Sequence, residues 1–262
     1  MRLFLLPKSF NGEPSLTLTG KEYNYLVRAL RLKEGHKIMG RDAKGGLWEL
    51  TIAHIDKNSC ILTAEASNKA IEYTDALPQE KPLKPIILYQ CIPKGRKLDD
   101  IIKKATETGV LAIVLVNSEN CVANLKGKEE AKLSRFDSIV KEAIQQSGSL
   151  VPTVVDGPID LKDIPRDLER RAKGNKTLGL VLHQCRLKED QSDLLSTISM
   201  VKNFEGTTAL LVGAEGGLTD KECQLLLDAG FKAILLKTNI LRCETASIYA
   251  IGAIQTLLET SC

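Results

Sequence analysis

A glycine-rich loop that contains a carboxylate is the part of the sequence best suited to chemistry. The loop reads G-A-E-G-G from Gly213 to Gly217 and follows an apolar run that ends at Val212. Its glycines allow the backbone to turn sharply and to approach a ligand closely. Glu215 disfavours a phosphate ligand, because phosphate cradles use bare N–H donors and avoid negative charge. The loop fits a ligand with hydroxyl groups, an amine or a cationic centre, or else it is a tight turn without a ligand.

A second loop of the same kind follows about twenty residues later. The segment Leu235–Thr245, L-L-K-T-N-I-L-R-C-E-T, also begins in an apolar run and leads into a predicted helix. Two such strand ends are typical of the ligand crevice at the carboxyl edge of an α/β sheet. The sequence contains neither G-x-G-x-x-G nor G-x-x-x-x-G-K-[ST]. A nicotinamide oxidoreductase is therefore a weaker alternative, opposed also by Glu215.

The elements that must position these loops form two predicted parts. Residues 1–75 read as a small β-rich domain with a helix over Lys21–Leu32, which Thr19 and Glu22 would cap. Residues 76–85 contain three prolines and are the predicted linker. From 86 to 262 strands and helices alternate, which predicts a mainly parallel sheet covered on both faces. The predicted strands are Arg2–Leu6, Leu16–Leu18, His36–Gly40, Leu47–Ile55, Cys60–Ala66, Ile86–Cys91, Ala112–Val116, Thr153–Val155, Leu178–His183, Ala209–Val212 and Ala233–Leu236. The predicted helices of the second part are Lys97–Thr108, Lys128–Gln146, Asp190–Met200, Thr219–Ala229 and Glu244–Glu259.

Composition narrows the class of protein. The chain is 43% hydrophobic and 26% charged, as is ordinary for a soluble globular protein, and no apolar run approaches the length of a membrane span. Pro7 and Lys8 end the first apolar run too early for a signal peptide. The seven cysteines include no C-x-x-C and the three histidines no H-E-x-x-H. We therefore expect reduced thiols, a cytoplasmic protein and no metal site.

Ordered motifs along nearly the whole chain resemble those of one enzyme family. Gly213–Glu222 and Leu236–Ala246 resemble G-P-E-G-G-[FL]-[ST]-x-x-E and L-G-x-R-[IV]-L-R-x-E-T-A. Gln90–Val110 resembles Q-x-x-x-[KR]-G-x-[KR]-x-[DE]-x-x-x-x-K-x-x-E-L-G-V. Shorter matches are Tyr25–Gly35, Ser118–Cys121 and Glu142–Pro152. On these residues the chain resembles the RsmE family of SPOUT methyltransferases, which methylates N3 of a uridine in 16S ribosomal RNA.

The resemblance implies an architecture and a cofactor. It implies an N-terminal PUA-like RNA-binding barrel over 1–75 and a SPOUT methyltransferase domain over 86–262 with a deep trefoil knot. It implies S-adenosyl-L-methionine as the methyl donor and 16S ribosomal RNA, or the small ribosomal subunit, as partner. The implied cofactor site lies on three strand ends. Its predicted residues are Leu182, His183, Val212, Gly213, Glu215, Gly216, Gly217, Leu236, Asn239, Ile240, Leu241 and Thr245.

The chemistry of the implied reaction calls for cations. N3 of uracil must lose its proton to attack a methyl carbon, and cationic side chains near O2 or O4 stabilise the developing anion. The candidates are Arg242, Lys94 and Arg96. Arg242 can instead form a structural salt bridge with Glu215 or Glu244. Glu244 is a possible base, although a carboxylate at the start of the last helix favours a capping role.

Three arginines of the family are missing, and this keeps other readings open. Asn120, Ser149 and Asn239 stand at or near their positions, and Ala214 replaces the proline of the glycine loop. The alternatives are a SPOUT methyltransferase with another RNA target and a non-catalytic RNA-binding protein of the same fold. The intact G-A-E-G-G and I-L-R-x-E-T segments argue against the second.

Local charge and one helix face predict the partners. Arg28 and Arg31, three apart on the first helix, and Lys94 and Arg96 are candidates for RNA phosphate contacts, whereas the basic group at 166–176 reads as a solvated face. We expect Trp48 to pack in the core rather than to stack on a base. A homodimer is expected through the last helix, on a face of mostly small side chains. That face is Ala246, Ala250, Ala253 and Leu257.

Overall fold

The computed structural model describes residues 3–67, 84–121, 127, 129–183, 191–199 and 204–259. The chain divides into two compact units, the first formed by residues 1–80 with 144–149 and the second by 81–143 with 150–262. Residues 76–83 of the predicted linker lie outside the described part of the chain.

The first unit is built on a five-stranded mixed sheet. Its strands are β1 (Leu3–Leu5), β2 (Ser15–Thr19), β3 (Lys37–Arg41), β4 (Leu47–Ile55) and β5 (Ser59–Ala66). Their order is β1-β3-β4-β5-β2, with β1 parallel to β3 and the other pairs antiparallel. Alternate apolar residues of β4 and β5, such as Leu50, Ile52 and Leu62, are fully buried and form the core. Trp48 packs against this core with its ring edge-on to Phe10, as expected.

The predicted helix of the first unit is present but ends at Ala29 instead of Leu32, and only its first turn is α-helical. Helix α1 covers only Gly20–Tyr23 and continues as a π-helical segment over Asn24–Ala29. The predicted capping box is wrong, since the Thr19 side chain caps no backbone N–H; the chain enters the helix through Gly20 at a left-handed φ of +58°. Arg28 and Arg31 therefore do not share a helical face. Arg31 lies beyond the π-helical segment at a φ of +53°.

The second unit is a seven-stranded parallel sheet. Its strands are β6 (Ile86–Cys91), β7 (Ala112–Asn117), β8 (Val154–Asp160), β9 (Thr177–Leu182), β10 (Gln191–Asp193), β11 (Thr207–Val212) and β12 (Lys232–Leu235). The order is β10-β12-β9-β11-β6-β7-β8, so β11 and β6 lie near the centre. Every residue of β6 and β11 is buried, as continuous apolar strands covered on both faces should be.

Helices cover both faces of this sheet. They are α2 (Lys97–Glu107), α3 (Glu129–Ser147), α4 (Ile164–Ala172), α5 (Leu194–Ser199), α6 (Asp220–Asp228) and α7 (Cys243–Glu259). Side chains of α4 and α6 pack on the face that carries Ile87, Tyr89 and Cys91 of β6. Successive strand residues point to opposite faces, so Gln90 lies on the other face, where Ser247 of α7 contacts it.

Two local expectations in the second unit needed correction. The predicted helix Asp190–Met200 begins only at Leu194, because residues 191–193 pair with β12 as strand β10; Asp190 and Met200 lie outside the described residues. The basic group at 166–176 is not wholly solvated. Arg171 is largely buried and pairs with Asp167 at 2.7 Å and with Asp156 at 2.8 Å.

Candidate functional site

A cavity of about 420 Å³ opens where the carboxyl ends of β9, β11 and β12 meet the start of α7. It brings together every residue of the predicted cofactor site except Gly216 and Thr245, and it adds the candidate cation Arg242. The lining residues are Lys97, Leu182, His183, Val212, Gly213, Ala214, Glu215, Gly217, Leu218, Ile234, Leu235, Leu236, Thr238, Asn239, Ile240, Leu241, Arg242, Cys243 and Ala246. The ends of three strands, at Leu182, Val212 and Leu235, therefore form one crevice.

The glycine loop is a tight turn whose glycines have different functions. Gly217 has a φ of +66° and lines the cavity, with open space where a side chain would begin. At Gly213 a Cβ atom would lie 3.1 Å from the Cα of Gly217, so the turn itself requires glycine there. Gly216 faces away from the cavity, and its Cβ atom would lie 2.9 Å from the Cβ of Asn120. We expected a glycine at position 216 because a ligand would approach the backbone there. The structure shows instead that the side chain of Asn120 approaches it.

Asn120 supports the glycine loop by hydrogen bonds on the side away from the cavity. Its side-chain amide donates hydrogen bonds to the carbonyl oxygens of Gly216, at 3.0 Å, and Gly217, at 3.4 Å. Next to it, the backbone N–H of Glu119 donates to the Glu222 carboxylate at 2.8 Å. The residue that replaces a family arginine therefore has a definite structural contact.

Glu222 also fixes the helix that follows the loop. The Thr219 hydroxyl accepts from the Glu222 backbone N–H at 3.3 Å, and the Glu222 carboxylate accepts from the Thr219 N–H at 2.9 Å. This capping box is the one that the sequence predicts at the start of α6. It stabilises the first turn of α6, which directly follows the glycine loop in the sequence.

Glu215 is held in a fixed position by a lysine that the sequence analysis did not select. Its carboxylate accepts from the Lys97 ammonium at 2.7 Å and from the backbone N–H of Lys94 at 3.2 Å and 3.3 Å. Burial opposes ionisation of Glu215, but these hydrogen bonds outweigh it and keep its pKa below the usual value. The bond to Glu215 raises the pKa of Lys97. Both groups are therefore charged at neutral pH.

Lys97 also links this loop to the last helix. Its ammonium lies 4.0 Å from the carboxylate of Glu244, on the first turn of α7. The sequence signal for Lys97 was present, because it is the second basic position of the K-G-x-K segment. Its importance depends on Glu215, which is 118 residues away.

The three candidate cations take different positions. Arg242 is exposed and lines the cavity. Lys94 and Arg96 are exposed in the turn between β6 and α2 and do not line it; Lys94 contributes its backbone N–H. Among the described residues, neither alternative salt bridge of Arg242 is formed. Lys97 is the cation paired with Glu215, and Arg242 acts on Glu244 only as a nearby charge that helps to lower the pKa of Glu244.

Glu244 and His183 have protonation states that limit their chemistry. Burial opposes ionisation of Glu244, yet its own backbone N–H and the Cys243 thiol, which donates at 3.2 Å, keep the pKa of Glu244 low. A low pKa suits the helix-capping role better than that of a base. Burial lowers the pKa of His183, against a weaker effect of Asp220, so its ring is neutral at pH 7.

Of the candidate RNA-binding residues, Arg28 and Arg31 lie in the first unit, whereas Lys94 and Arg96 belong to the second. Arg28 is exposed, with its guanidinium 6.0 Å from the centre of the Tyr23 ring. Arg31, Lys33 and Lys37 are exposed as well, although Lys37 pairs with Glu49 at 2.6 Å. Four cations are thus exposed within ten residues of the chain.

Across the described residues, no cluster of three or more His, Cys, Asp or Glu side chains is arranged to hold a metal ion. Of the helices that the structure describes, none has the length and apolar character needed to cross a membrane.

Comparison with known proteins identifies the family. A family model described as an RNA methyltransferase domain matches residues 79–255. The chain belongs to this family of RNA methyltransferases. A second family model, described as an RNA methyltransferase PUA domain, matches residues 18–65 in the five-stranded sheet. An RNA methyltransferase with an N-terminal PUA-like domain is the architecture that the sequence motifs imply.

Relatives of this RNA methyltransferase carry a more specific name. The ribosomal RNA small subunit methyltransferase E of Bacillus subtilis is 32% identical over 256 residues, which cover 95% of this chain and 93% of the relative. The Synechocystis protein of the same name is 31% identical over 259 residues, or 99% of this chain and 78% of the relative. A solved structure from Neisseria gonorrhoeae, of that name and bound to S-adenosyl methionine, is 28% identical, covers 98% of both chains and has a TM-score of 0.78. The family resemblance, the enzyme class and the α/β fold class are confirmed.

Proposed function

We propose that this protein transfers a methyl group from S-adenosyl-L-methionine to N3 of a uridine in 16S ribosomal RNA. The observation that carries the proposal is the cavity formed by three strand ends. The chain that contains it is related over nearly its full length to ribosomal RNA small subunit methyltransferases E. The uridine and its N3 atom come from the motif resemblance.

The cavity fits this cofactor in size and chemistry. Its volume of about 420 Å³ lies within the usual range for small-molecule sites. Gly217 leaves its backbone open to a ligand, while Ile240, which is 85% exposed, and Leu241 offer apolar surface for the adenine ring. Because Glu215 balances the charge of Lys97, the glycine loop carries no excess positive charge, which suits a ligand with a sulfonium and an ammonium group better than the pyrophosphate of NAD.

The residues of this chain would position the reaction and stabilise charge. Bound S-adenosyl-L-methionine supplies an electrophilic methyl carbon, and in-line attack depends on how the uracil is held. Arg242 is placed to donate to O2 or O4 of the uracil, because it is an exposed cation at the cavity. Lys97 is charged and in the same cavity, but its ammonium is occupied by Glu215. Lys94 and Arg96, just outside, suit contacts to RNA phosphates.

The rest of the proposal concerns domains and assembly. We assign 1–75 as the PUA-like RNA-binding part, with Arg28 and Arg31 on phosphates, 76–85 as linker, and 86–262 as a SPOUT domain with the trefoil knot of its class. A cytoplasmic location follows from a ribosomal RNA substrate.

A homodimer through α7 is supported by an exposed stripe that differs from the expected face. Ala250 is fully buried within its own chain, so that face packs at least partly on its own sheet. Thr245, Tyr249 and Thr256 are exposed, and a Cβ atom on Gly252 would meet nothing within 4 Å. These residues recur at helical spacing and leave room for a second helix to approach.

Two measurements test the proposal. Calorimetry should show binding of S-adenosyl-L-methionine and none of NAD(H); the reverse result contradicts the cofactor assignment. Small ribosomal subunits from a strain lacking the gene should gain one N3-methyluridine on incubation with the protein and cofactor, located by mass spectrometry of the 16S RNA. Methylation of another RNA under the same conditions would support the alternative of a different target.

A further inference from the structure

A fully buried glutamine lies behind the cavity and contacts two of its walls. Gln90 is the fifth residue of β6, in the centre of the parallel sheet, with no exposed surface. An amide left without hydrogen-bond partners there would strongly destabilise the fold. Its hydrogen-bonding groups must therefore be matched by the surrounding residues.

Three contacts satisfy the Gln90 amide. Its Nε2 donates to the carbonyl oxygens of Cys91 at 2.9 Å and Val212 at 3.4 Å, and its Oε1 accepts from the Ser247 hydroxyl at 2.6 Å. Carbonyl oxygens only accept hydrogen bonds, so the NH₂ group must face them and the amide cannot be flipped. The orientation of this side chain is fixed by chemistry.

The contacted residues belong to the cavity walls although Gln90 itself does not line the cavity. Val212 lines it and directly precedes Gly213 of the glycine loop. On α7, Ser247 directly follows Ala246, which lines the cavity. The Ser247 hydroxyl also lies 2.8 Å from the carbonyl oxygen of Cys243, another residue that lines the cavity. One amide thus connects the end of β11 with the first turns of α7.

We infer that Gln90 is a positioning residue for the cofactor. Through its contacts with Val212 and Ser247 it holds the glycine loop and α7 at a fixed separation, and so it acts on the cofactor indirectly. The inference rests on the proposed function in taking S-adenosyl-L-methionine as the ligand. A site formed by two separate elements needs such support, because a small displacement of either wall weakens every contact made between them.

Gln90→Met, which keeps the length of the side chain but removes the amide, tests this. We expect the dissociation constant for S-adenosyl-L-methionine to rise about tenfold, the size of effect that one or two lost hydrogen bonds produce. Ser247→Ala removes the other partner and should have a similar effect, and the double variant should be no worse than either single one, because both remove the same connection. Thr208→Val is the matched control. Thr208 is as buried as Gln90 but lies at the end of β11 away from Val212, so loss of its hydroxyl should leave the affinity for the cofactor unchanged.

A conservative variant provides a signature that simple loss of packing would not. In Gln90→Glu a carboxylate oxygen faces the two carbonyl oxygens and repels them, whereas the protonated acid can donate as the amide does. The affinity of this variant, relative to the wild type at the same pH, should therefore recover as the pH falls. An affinity ratio that does not change with pH would contradict the proposed contact.

Hydrogen exchange without cofactor separates this inference from the proposed function. Amides of residues 210–218 and 243–247 should exchange faster in Gln90→Met than in the wild type, whichever ligand the cavity takes. Failure of the wild type to bind S-adenosyl-L-methionine would refute the cofactor assignment alone. Unchanged exchange in both segments, or wild-type affinity in a less stable Gln90→Met, would make Gln90 an ordinary core residue and overturn the inference.

Discussion

At the scale of single residues, Gly217 is the glycine of the loop whose side-chain position opens towards the cavity. We predict that Gly217→Ala weakens binding of S-adenosyl-L-methionine at least tenfold and destabilises the fold by about 1 kcal/mol, since a φ of +66° strains an alanine. Gly230→Ala is the matched control. It has a φ of +87° and equally open space, but it lies between α6 and β12, away from this cavity. Calorimetry and thermal melts should show similar destabilisation in both variants and loss of affinity only in the first.

Glu215 gives a second prediction at this scale. Glu215→Gln should leave the fold intact but weaken cofactor binding several-fold, because it removes the charge that balances Lys97 and leaves that cation beside a cationic ligand. The pair is about one-third exposed, so its own contribution to stability is small, about 0.5–1 kcal/mol. Glu205→Gln, which alters the exposed pair with Lys84, should change neither property. Equal cofactor affinity in Glu215→Gln and the wild type would show that the carboxylate serves only the loop.

At the scale of elements, α4 is joined to the sheet by a hydrogen-bonded network of charged side chains, of which Asp167 and Arg171 are largely buried. The Tyr89 hydroxyl donates to Asp167 at 3.0 Å, and Arg171 connects Asp167 to Asp156. Asp167→Ala should cost about 3 kcal/mol, because it leaves the largely buried Arg171 with the half-exposed Asp156 as its remaining acidic partner. The exposed Asp163, whose side chain caps no backbone N–H, is the control, and Asp163→Ala should cost little. Chemical denaturation of both variants measures the difference.

The same network predicts how stability depends on pH. Burial opposes ionisation of Asp167, but hydrogen bonds from Arg170 and Arg171 outweigh it and lower the pKa of Asp167. A carboxylate whose pKa is lower in the folded state stabilises the protein fully above its unfolded value of about 3.9. This contribution is lost as the pH falls below about 4 through the folded-state pKa. The pH dependence of unfolding below that value should therefore be shallower in Asp167→Ala than in the wild type.

Comparison of elements also explains which features could be read from the sequence. The buried strands β6 and β11 and the α6 capping box were predictable, because continuous apolar runs and T-x-x-E spacing are local signals. The same spacing at Thr19 predicted a capping box wrongly, since the left-handed Gly20 intervenes. Lys97 and Gln90 were not selected, because their importance comes from partners 118 and 157 residues away. Residues that line a crevice from local strand ends are easier to predict than residues that support it through long-range contacts.

At the scale of the whole molecule, binding of RNA should depend largely on the first unit, with a smaller part from Lys94 and Arg96, and binding of the cofactor should depend on the second unit. We predict that Arg28→Ala with Arg31→Ala weakens RNA binding and leaves the affinity for S-adenosyl-L-methionine unchanged. Each lost phosphate contact should reduce the slope of log affinity against log salt concentration by roughly 0.7–0.9. A variant with Lys173→Ala and Lys176→Ala removes two exposed charges elsewhere and should change neither quantity. If both variants bind RNA equally well, the basic residues near the π-helical segment are only solvated.

Assembly is the second property of the whole molecule, and it depends on the exposed stripe of α7. Tyr249 is the one large side chain of that stripe in the described helix, with 52% of its surface exposed, and Gly252 next to it leaves room for a partner. Sedimentation at micromolar concentration should give twice the chain mass of 28.7 kDa.

Tyr249→Asp should shift the protein towards the monomer, because a charge on a closely packed interface loses its hydration. Leu225→Asp is the control: Leu225 is 39% exposed on α6, on the opposite face of the sheet, so this variant should remain dimeric. A Tyr249→Asp monomer that methylates RNA at the full rate would show that catalysis needs one subunit, whereas a loss of activity that parallels the loss of dimer would place the second subunit at the reaction.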